Sequence, residues 1–474
     1  KSYESRISWL APNRKKKIIE FYFEPSQFGD IKINSENESI YEDFIKSSPN
    51  TNIKFLTLQK ILSKDLSRKR WSRVLNKMNK YKDEFINYKK FDDLYKLVEA
   101  ESDSTIKVNG LSTINTDDQE YIPVISADSK TLYFCGKERN DNIGGEDIFV
   151  SKFSENGWSN GEVVSSLSFA NNNDALMSVS PDGNNAITFK DGKLGIVKRK
   201  IDGWSEISYL PSSINSGRWN GDAMFSSDNN TIIFASSRNT GYNYSNHSEY
   251  HGSVKYPLDL YAAHKTENGS WGEPVNLGPI INTTLSERAP FLHPDMKTLY
   301  FSSDGHAGVG NYDVFKSTRL DENCWDCWSE PINLGKEINT TKDDWGYKIS
   351  TDGTTAYFSK KAANEDHYDL YSLNIPYYLR PDYVATISGR IEGLANEVIE
   401  TEIIWEDLES EEEIGRSTTN PETGEFFIVL PMGKIYGYYI NKKDYFPYSN
   451  SLDLRNEVEP VELNENIQVI TFNE

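Results

Sequence analysis

Ser126-Ala127-Asp128-Ser129, Thr131-Leu132-Tyr133-Phe134 and Asp147-Ile148-Phe149-Val150 set out, within one stretch, an Asp-containing turn, a hydrophobic strand and a second strand opening on an acidic residue. The unit recurs. It returns as Ser226-Ser227-Asp228-Asn229, Thr231-Ile232-Ile233-Phe234 and Asp259-Leu260-Tyr261, then as His293-Pro294-Asp295-Met296, Thr298-Leu299-Tyr300-Phe301 and Asp313-Val314-Phe315. A further copy is Ser350-Thr351-Asp352-Gly353, Thr355-Ala356-Tyr357-Phe358 and Asp369-Leu370-Tyr371. A degenerate copy, second in chain order, runs through Ser180-Pro181-Asp182-Gly183, Ala186-Ile187-Thr188-Phe189 and Leu194-Gly195-Ile196-Val197. Short strands and turn signals repeating at such a spacing indicate a β-propeller.

Each of the first four copies carries a tail with a tryptophan: Gly157-Trp158-Ser159, Gly203-Trp204-Ser205, Ser270-Trp271-Gly272 and Cys327-Trp328-Ser329. An Ile-Asn pair follows at Ile214, Ile281 and Ile338. The fifth copy lacks the tail. Its missing piece lies at the front, where Ile106-Lys107-Val108 and Leu111-Ser112-Thr113-Ile114-Asn115-Thr116 precede the first copy and match Ile281-Asn282-Thr283 and Ile338-Asn339-Thr340. A strand from the N-terminal side is expected to complete the last blade and close the ring, leaving no long open edge. The count is five blades, with six as the alternative.

The repeated residues have a structural explanation. Asp-Gly and Asp-Asn suit hairpin turns that need positive φ, Tyr-Phe pairs suit a sheet packed on both faces, and a rim Trp fills the wedge between blades. A function on the propeller is therefore expected in what differs between blades.

The chain has 474 residues and a formal net charge of −21, so it has room for several domains and lacks the basic stripe that nucleic acid rewards. Calcium or a basic partner surface is compatible with that balance. No run of about 18 apolar residues occurs. The chain begins with Lys1 rather than Met, so a leader, or a cysteine bearing lipid, is expected to have been removed from view. Of three cysteines, Cys324 and Cys327 sit in a loop between two strands, which favours a local disulfide over a thioredoxin-type redox role. Cys135 reads as a small core hydrophobe.

Three regions follow. Residues 1–103 are rich in Lys, Glu, Asn and aromatics, and from Asn52 to Ala100 the apolar positions Phe55, Leu58, Leu62, Val74, Met78, Phe91, Leu94 and Val98 recur at helical spacing, giving three helices. Residues 1–50, with the β-like run Ile18 to Phe23, receive no fold. The basic stretch Lys64 to Arg73 reads as a solvated helix face. The propeller occupies 104–378. After a linker marked by Pro376 and Pro381, residues 383–463 form a compact all-β unit: Val384 to Ile391, Val398 to Trp405, Phe426 to Leu430 and Ile435 to Ile440, with turns at Asn420 to Gly424 and Pro431-Met432-Gly433. The fold class is mainly β: a propeller between a small helical region and a β-sandwich.

The Asp-turn-Tyr-Phe repeat, the Trp-Ser tail and the Ile-Asn-Thr step resemble the WD40-like propeller repeats of bacterial periplasmic proteins. Tyr121 to Val150, with Asn142-Ile143-Gly144-Gly145-Glu146-Asp147-Ile148, resembles the Bacteroidota branch of that family. Residues 384–454 resemble the carboxypeptidase-regulatory-like, transthyretin-like domain through Ser388-Gly389-Arg390, Thr423-Gly424-Glu425-Phe426, Leu430-Pro431-Met432-Gly433 and Lys443-Asp444-Tyr445-Phe446-Pro447. The second blade lacks the Tyr-Phe pair, and the N-terminal helices lack a clean tetratricopeptide pattern. The resemblance implies an OmpA-like domain gripping peptidoglycan beyond this chain, with residues 464–474 as its connector. It further implies a periplasmic, outer-membrane-associated lipoprotein within a complex of outer-membrane proteins or lipoproteins, as in the type IX secretion machinery. Competing readings are an accessory subunit for barrel assembly or nutrient uptake, and a glycan-binding or glycan-processing propeller.

No Gly-x-Ser-x-Gly elbow of the prolyl-oligopeptidase kind occurs, and the Asp turns only superficially resemble those of sialidases, so an enzyme, a catalytic residue and a cofactor are not expected. The insertion Thr240 to Pro257 contains His247-Ser248-Glu249-Tyr250-His251; its Gly and Asn neighbours favour a loop over a zinc-binding helix, so no metal ligands are assigned. Its aromatics, Tyr242, Tyr244, Tyr250, His251 and Tyr256, are candidate partner contacts, as are Trp325 and Trp328 beside the cysteine pair. Asp103-Ser104-Thr105 fits a short O-glycosylation pattern.

Overall fold

The computed structural model describes residues 38–190, 192–238, 258–361 and 367–472. Five antiparallel sheets each begin with an inner strand: Gln119–Ile125, Asp174–Val179, Asn220–Phe225, Glu287–Leu292 and Asp344–Ile349. Each inner strand packs against the next, and the fifth against the first, so the sheets form a closed five-bladed ring. The six-blade alternative is excluded. The degenerate second copy builds a full blade, with Asn185–Lys190 and Lys193–Lys200 paired from Asn185↔Lys198 to Lys190↔Lys193. In the fifth blade the outermost strand is Val108–Gly110, held in register by Val108↔Leu373 and Gly110↔Tyr371. That pairing closes the ring with a strand from the N-terminal side.

The turn after each inner strand follows from its residues. The position after each Asp has positive φ: Ser129 at 58°, Gly183 at 73°, Asn229 at 59°, Met296 at 60° and Gly353 at 71°. In blade one the Asp128 carboxylate accepts the Lys130 N–H at 3.0 Å, and the Ser126 hydroxyl accepts the Thr131 N–H at 2.9 Å. Blades two, three and five repeat this with Asp182, Asp228 and Asp352.

Between blades, the Ile-Asn-Thr step acts as a three-way tie. Asn282 accepts from Leu260 N at 2.8 Å and donates to Leu260 O at 3.0 Å; Asn339 does the same to Val314, Asn215 to Leu194 and Asn115 to Leu370. The threonine faces forward: Thr283 and Thr340 give both N–H and hydroxyl to the carboxylates of Glu287 and Asp344, which open the next inner strand. The isoleucine carbonyl receives a donor from the next blade, from Arg139 to Ile114 at 3.2 Å and from Arg238 to Ile214 at 2.7 Å. Each connection thus satisfies buried polar groups on two blades at once.

Among the described residues, four α-helices precede the ring: α1 (Glu38–Ser47), α2 (Thr51–Leu66), α3 (Trp71–Tyr81) and α4 (Lys89–Glu99). The last three occupy the periodic stretch. Helix α1 lies within the residues left unassigned, and it buries Tyr41, Phe44 and Ile45. After the ring, Glu425–Pro431, Val384–Glu392, Val461–Asn464 and Ile467–Gln468 form one sheet, and Glu412–Thr418, Glu402–Asp407, Ile435–Ile440 and Tyr448–Asp453 a second. Trp405, Ile387, Ile428 and Tyr438 fill the space between them. The expected boundary at 463 is corrected: Ile467 and Val469, at 2% and 3% exposure, belong to this core rather than to a connector. Cys135 is fully buried in the propeller.

Candidate functional site

Strand direction gives the ring two faces. The Asp turns and the turns after each third strand lie on one, here the turn face; the loops between second and third strands and the connections between blades lie on the other, the loop face.

The sandwich sits on the turn face. Its edge strand Glu412–Thr418 runs across blades two and three, and three alternate carbonyls of that strand meet asparagines of the Asp turns. Asn230 donates to Ile414 O at 3.2 Å, Asn229 to Arg416 O at 3.2 Å and Asn184 to Thr418 O at 2.8 Å. The second oxygen of Asp182 accepts Thr418 N–H at 3.0 Å, while its first holds the turn. An open edge strand is thereby paired without a strand partner. A Cβ on Gly415 would lie 2.8 Å from Asp228 O, so the close approach requires glycine. The linker passes over the neighbouring blades: Asp382 N–H binds Asp295 at 3.0 Å, and Tyr300 and Lys316 donate to Leu379 O and Arg380 O at 2.9 and 2.7 Å.

The helices sit on the loop face of blade four. Gln59 of α2 donates to Gly308 O at 3.2 Å, Lys90 of α4 donates to Gly305 O at 2.5 Å, and Val309 is buried in the helical core. Lys336, after the last strand of blade four, donates to Val98 O at 3.0 Å and to Ala100 O, at the carbonyl end of α4, where a helix favours a cation. Blade four differs here from blades one and two. Glu120 is met by Arg139 at 2.6 Å and Asp174 by Lys190 at 4.0 Å, whereas Glu287 is held by Thr283 and Ser303, and it is Lys90 whose charge reaches it from outside the ring. Burial pushes Glu287 up to about 8 and lowers Lys90.

Cys324 and Cys327 are joined by a disulfide, with Cα atoms 5.4 Å apart. Among the described residues, one group of metal-ligating type gathers three side chains, Cys324, Asp326 and Cys327, and both its sulfurs are in that bond. The loop folds into the seam between blades three and four. Trp325 is half-buried, its ring tilted against His264 at 4.9 Å and covered by the Arg319 guanidinium at 3.7 Å. Trp328 is 4% exposed and donates to Trp325 O at 2.7 Å. Its expected place on a contact surface is corrected: the ring fills the seam. Tyr242, Tyr244, Tyr250, His251 and Tyr256 lie outside the described residues.

On the axis, a cavity of about 60 Å³ is lined by the inner strands and the first residues of the Asp turns, among them Met177, Phe225, Phe291 and Pro294. Lys348 is its single charged lining residue. Toward the loop face, Tyr121, Trp345 and Tyr368 cluster at centroid distances of 5.8 to 6.3 Å, and Arg288, bound to Asp222 at 2.8 and 3.2 Å, stacks on Trp345 at 4.2 Å. The converging carboxylates that a glycan-processing channel would need do not line the cavity.

No family model matches the chain, and no curated protein matches it. Solved structures do. TolB from Acinetobacter baumannii is 18% identical with a TM-score of 0.35, over 56% of this chain and 56% of that one, so the match spans little more than half of the TolB chain. A putative TolB from Agrobacterium tumefaciens is 14% identical with a TM-score of 0.33, over 69% and 96%. An α-L-arabinofuranosidase from Podospora anserina, in complex with cellotriose, is 13% identical with a TM-score of 0.37, over 57% and 96%. The expectation that the chain is no enzyme is corrected: an α-L-arabinofuranosidase stands among the solved structures that match it. Among the described residues, no helix is long and apolar enough to cross a membrane.

Proposed function

We propose that this chain is an interaction scaffold of the periplasm that ties an outer-membrane protein assembly, of the type IX secretion kind, to peptidoglycan, with propeller and sandwich as protein-contact modules. The observation that carries the reading is the use of the two propeller faces. One grips the sandwich through Asn184, Asn229 and Asn230, and the other grips the helices through Gly305, Gly308 and Lys336. These residues break the repeat, as expected when a scaffold is adapted to hold neighbours. The WD40-like and carboxypeptidase-regulatory-like resemblances support the compartment and the cell-wall link. A gentle pull-down of the protein from native outer membranes, with mass spectrometry, tests it. Outer-membrane barrels, lipoproteins or secretion components recovered in fixed ratio are expected. Recovery of the protein alone would overturn the reading, and a different set of barrels would reassign the machine.

A further inference from the structure

Lys348 stands on the inner strand of blade five, 6% exposed, and lines the axial cavity. An ammonium has three donors. One goes to Pro290 O at 3.0 Å, and the Phe291 ring lies 5.4 Å away. Asp222, the carboxylate whose charge reaches Lys348, is occupied: Arg288 holds both of its oxygens at 2.8 and 3.2 Å, and Ala289 N–H adds 3.2 Å. Two donors of this buried cation, on a residue that lines the cavity, therefore have no protein acceptor at hydrogen-bond distance, an arrangement that is unfavourable unless an anion or water completes it.

The rest of the lining is aliphatic, aromatic or hydroxyl. Ser178 and Ser227 contribute side-chain oxygens; Ser178 Oγ accepts Phe225 N–H at 3.2 Å, and Ser227 Oγ donates to Pro294 O at 3.3 Å. A cavity of about 60 Å³ has room for a few waters or one small planar group. The first residues of the turns, Ala127, Pro181, Ser227, Pro294 and Thr351, ring its end at the turn face.

We propose that the propeller axis carries a binding site for a single carboxylate, which enters from the turn face and receives the two unspent donors of Lys348. The ligand is a small free acid or the terminal carboxylate of a peptide. A carboxylate fits because two oxygens can each take one N–H from the ammonium, while its short apolar stem meets the aliphatic wall. Burial lowers Lys348 only to about 8, so the cation is present at neutral pH.

The test uses the full chain and thermal unfolding at constant ionic strength, with sodium acetate replacing sodium gluconate, whose anion exceeds the cavity. Acetate is expected to raise Tm saturably, and Lys348→Met to abolish that shift. N-acetyl-triglycine and its C-terminal amide separate the sources. A shift with the acid and none with the amide assigns a peptide terminus; a shift with acetate and with neither peptide assigns a small free acid. The proposal is overturned if acetate gives no saturable shift, if Lys348→Met keeps it, if chloride matches acetate, or if the amide matches the acid. Should Lys348→Met fail to fold, the wild-type contrast between acetate and gluconate decides alone.

Discussion

Asn339, at 1% exposure, satisfies both backbone groups of Val314 with one side chain. Replacing it by alanine removes a donor and an acceptor and strands two buried backbone groups. Asn339→Ala is expected to destabilise by about 2 kcal/mol, read as a lower urea midpoint with unchanged slope. Glu287 makes a different prediction. Its carboxyl is raised from an ordinary 4.5 to about 8 by burial, so between those values the folded chain holds a proton that the unfolded chain has lost. The stability linked to this proton is complete below about 4.5 and is lost as pH rises through 8. Glu287→Gln carries no such proton, and its urea midpoint should fall less than that of the wild type between these pH values. An equal fall in both would remove Glu287 from the account.

At the scale of elements, the same turn serves two purposes. All five Asp turns shape a hairpin, but the residues after the Asp diverge: Lys130, Lys297 and Thr354 in blades one, four and five, against Asn184 and Asn230 in blades two and three. Only the asparagines carry amides that can reach the carbonyls of the sandwich edge. Gly415→Ala puts a methyl 2.8 Å from Asp228 O and 3.2 Å from its Cα, against backbone that cannot yield. The sandwich should detach while the propeller stays folded, seen as faster proteolysis in the Pro376 to Pro381 linker with an unchanged propeller fragment. Helix docking has its own lever. Lys90→Met removes the donor to Gly305 O and the charge that reaches Glu287, and amide exchange in α4 should accelerate while exchange in blades one and two does not change.

For the whole molecule, the ring depends on three residues that are distant in sequence from the blade they finish. Deleting the chain up to Gly110 would leave blade five with an open edge along Tyr368–Asn374, and such a chain should aggregate, measured by light scattering, where the intact ring remains dispersed. Much of this architecture was legible beforehand: the repeat, the number of blades, the closing strand, the three periodic helices and the sandwich. Those features depend on contiguous residues, because an Asp turn, an alternating strand or a helical stripe is dictated by bonds and burial within about ten positions. Other features were not legible. Trp328 reads as a surface aromatic until Trp325 and Arg319 close over the loop, and Ile467 and Val469 read as connector until they enter the sandwich core. The sequence by itself determined that five similar blades would form and close. Which blade would take the sandwich, which the helices, and that Lys348 would face a cavity with donors to spare were decided only by tertiary structure. Those outcomes rest on contacts between segments far apart in the chain, such as Asn184 with Thr418 or Lys336 with Val98, whose meeting no local pattern records.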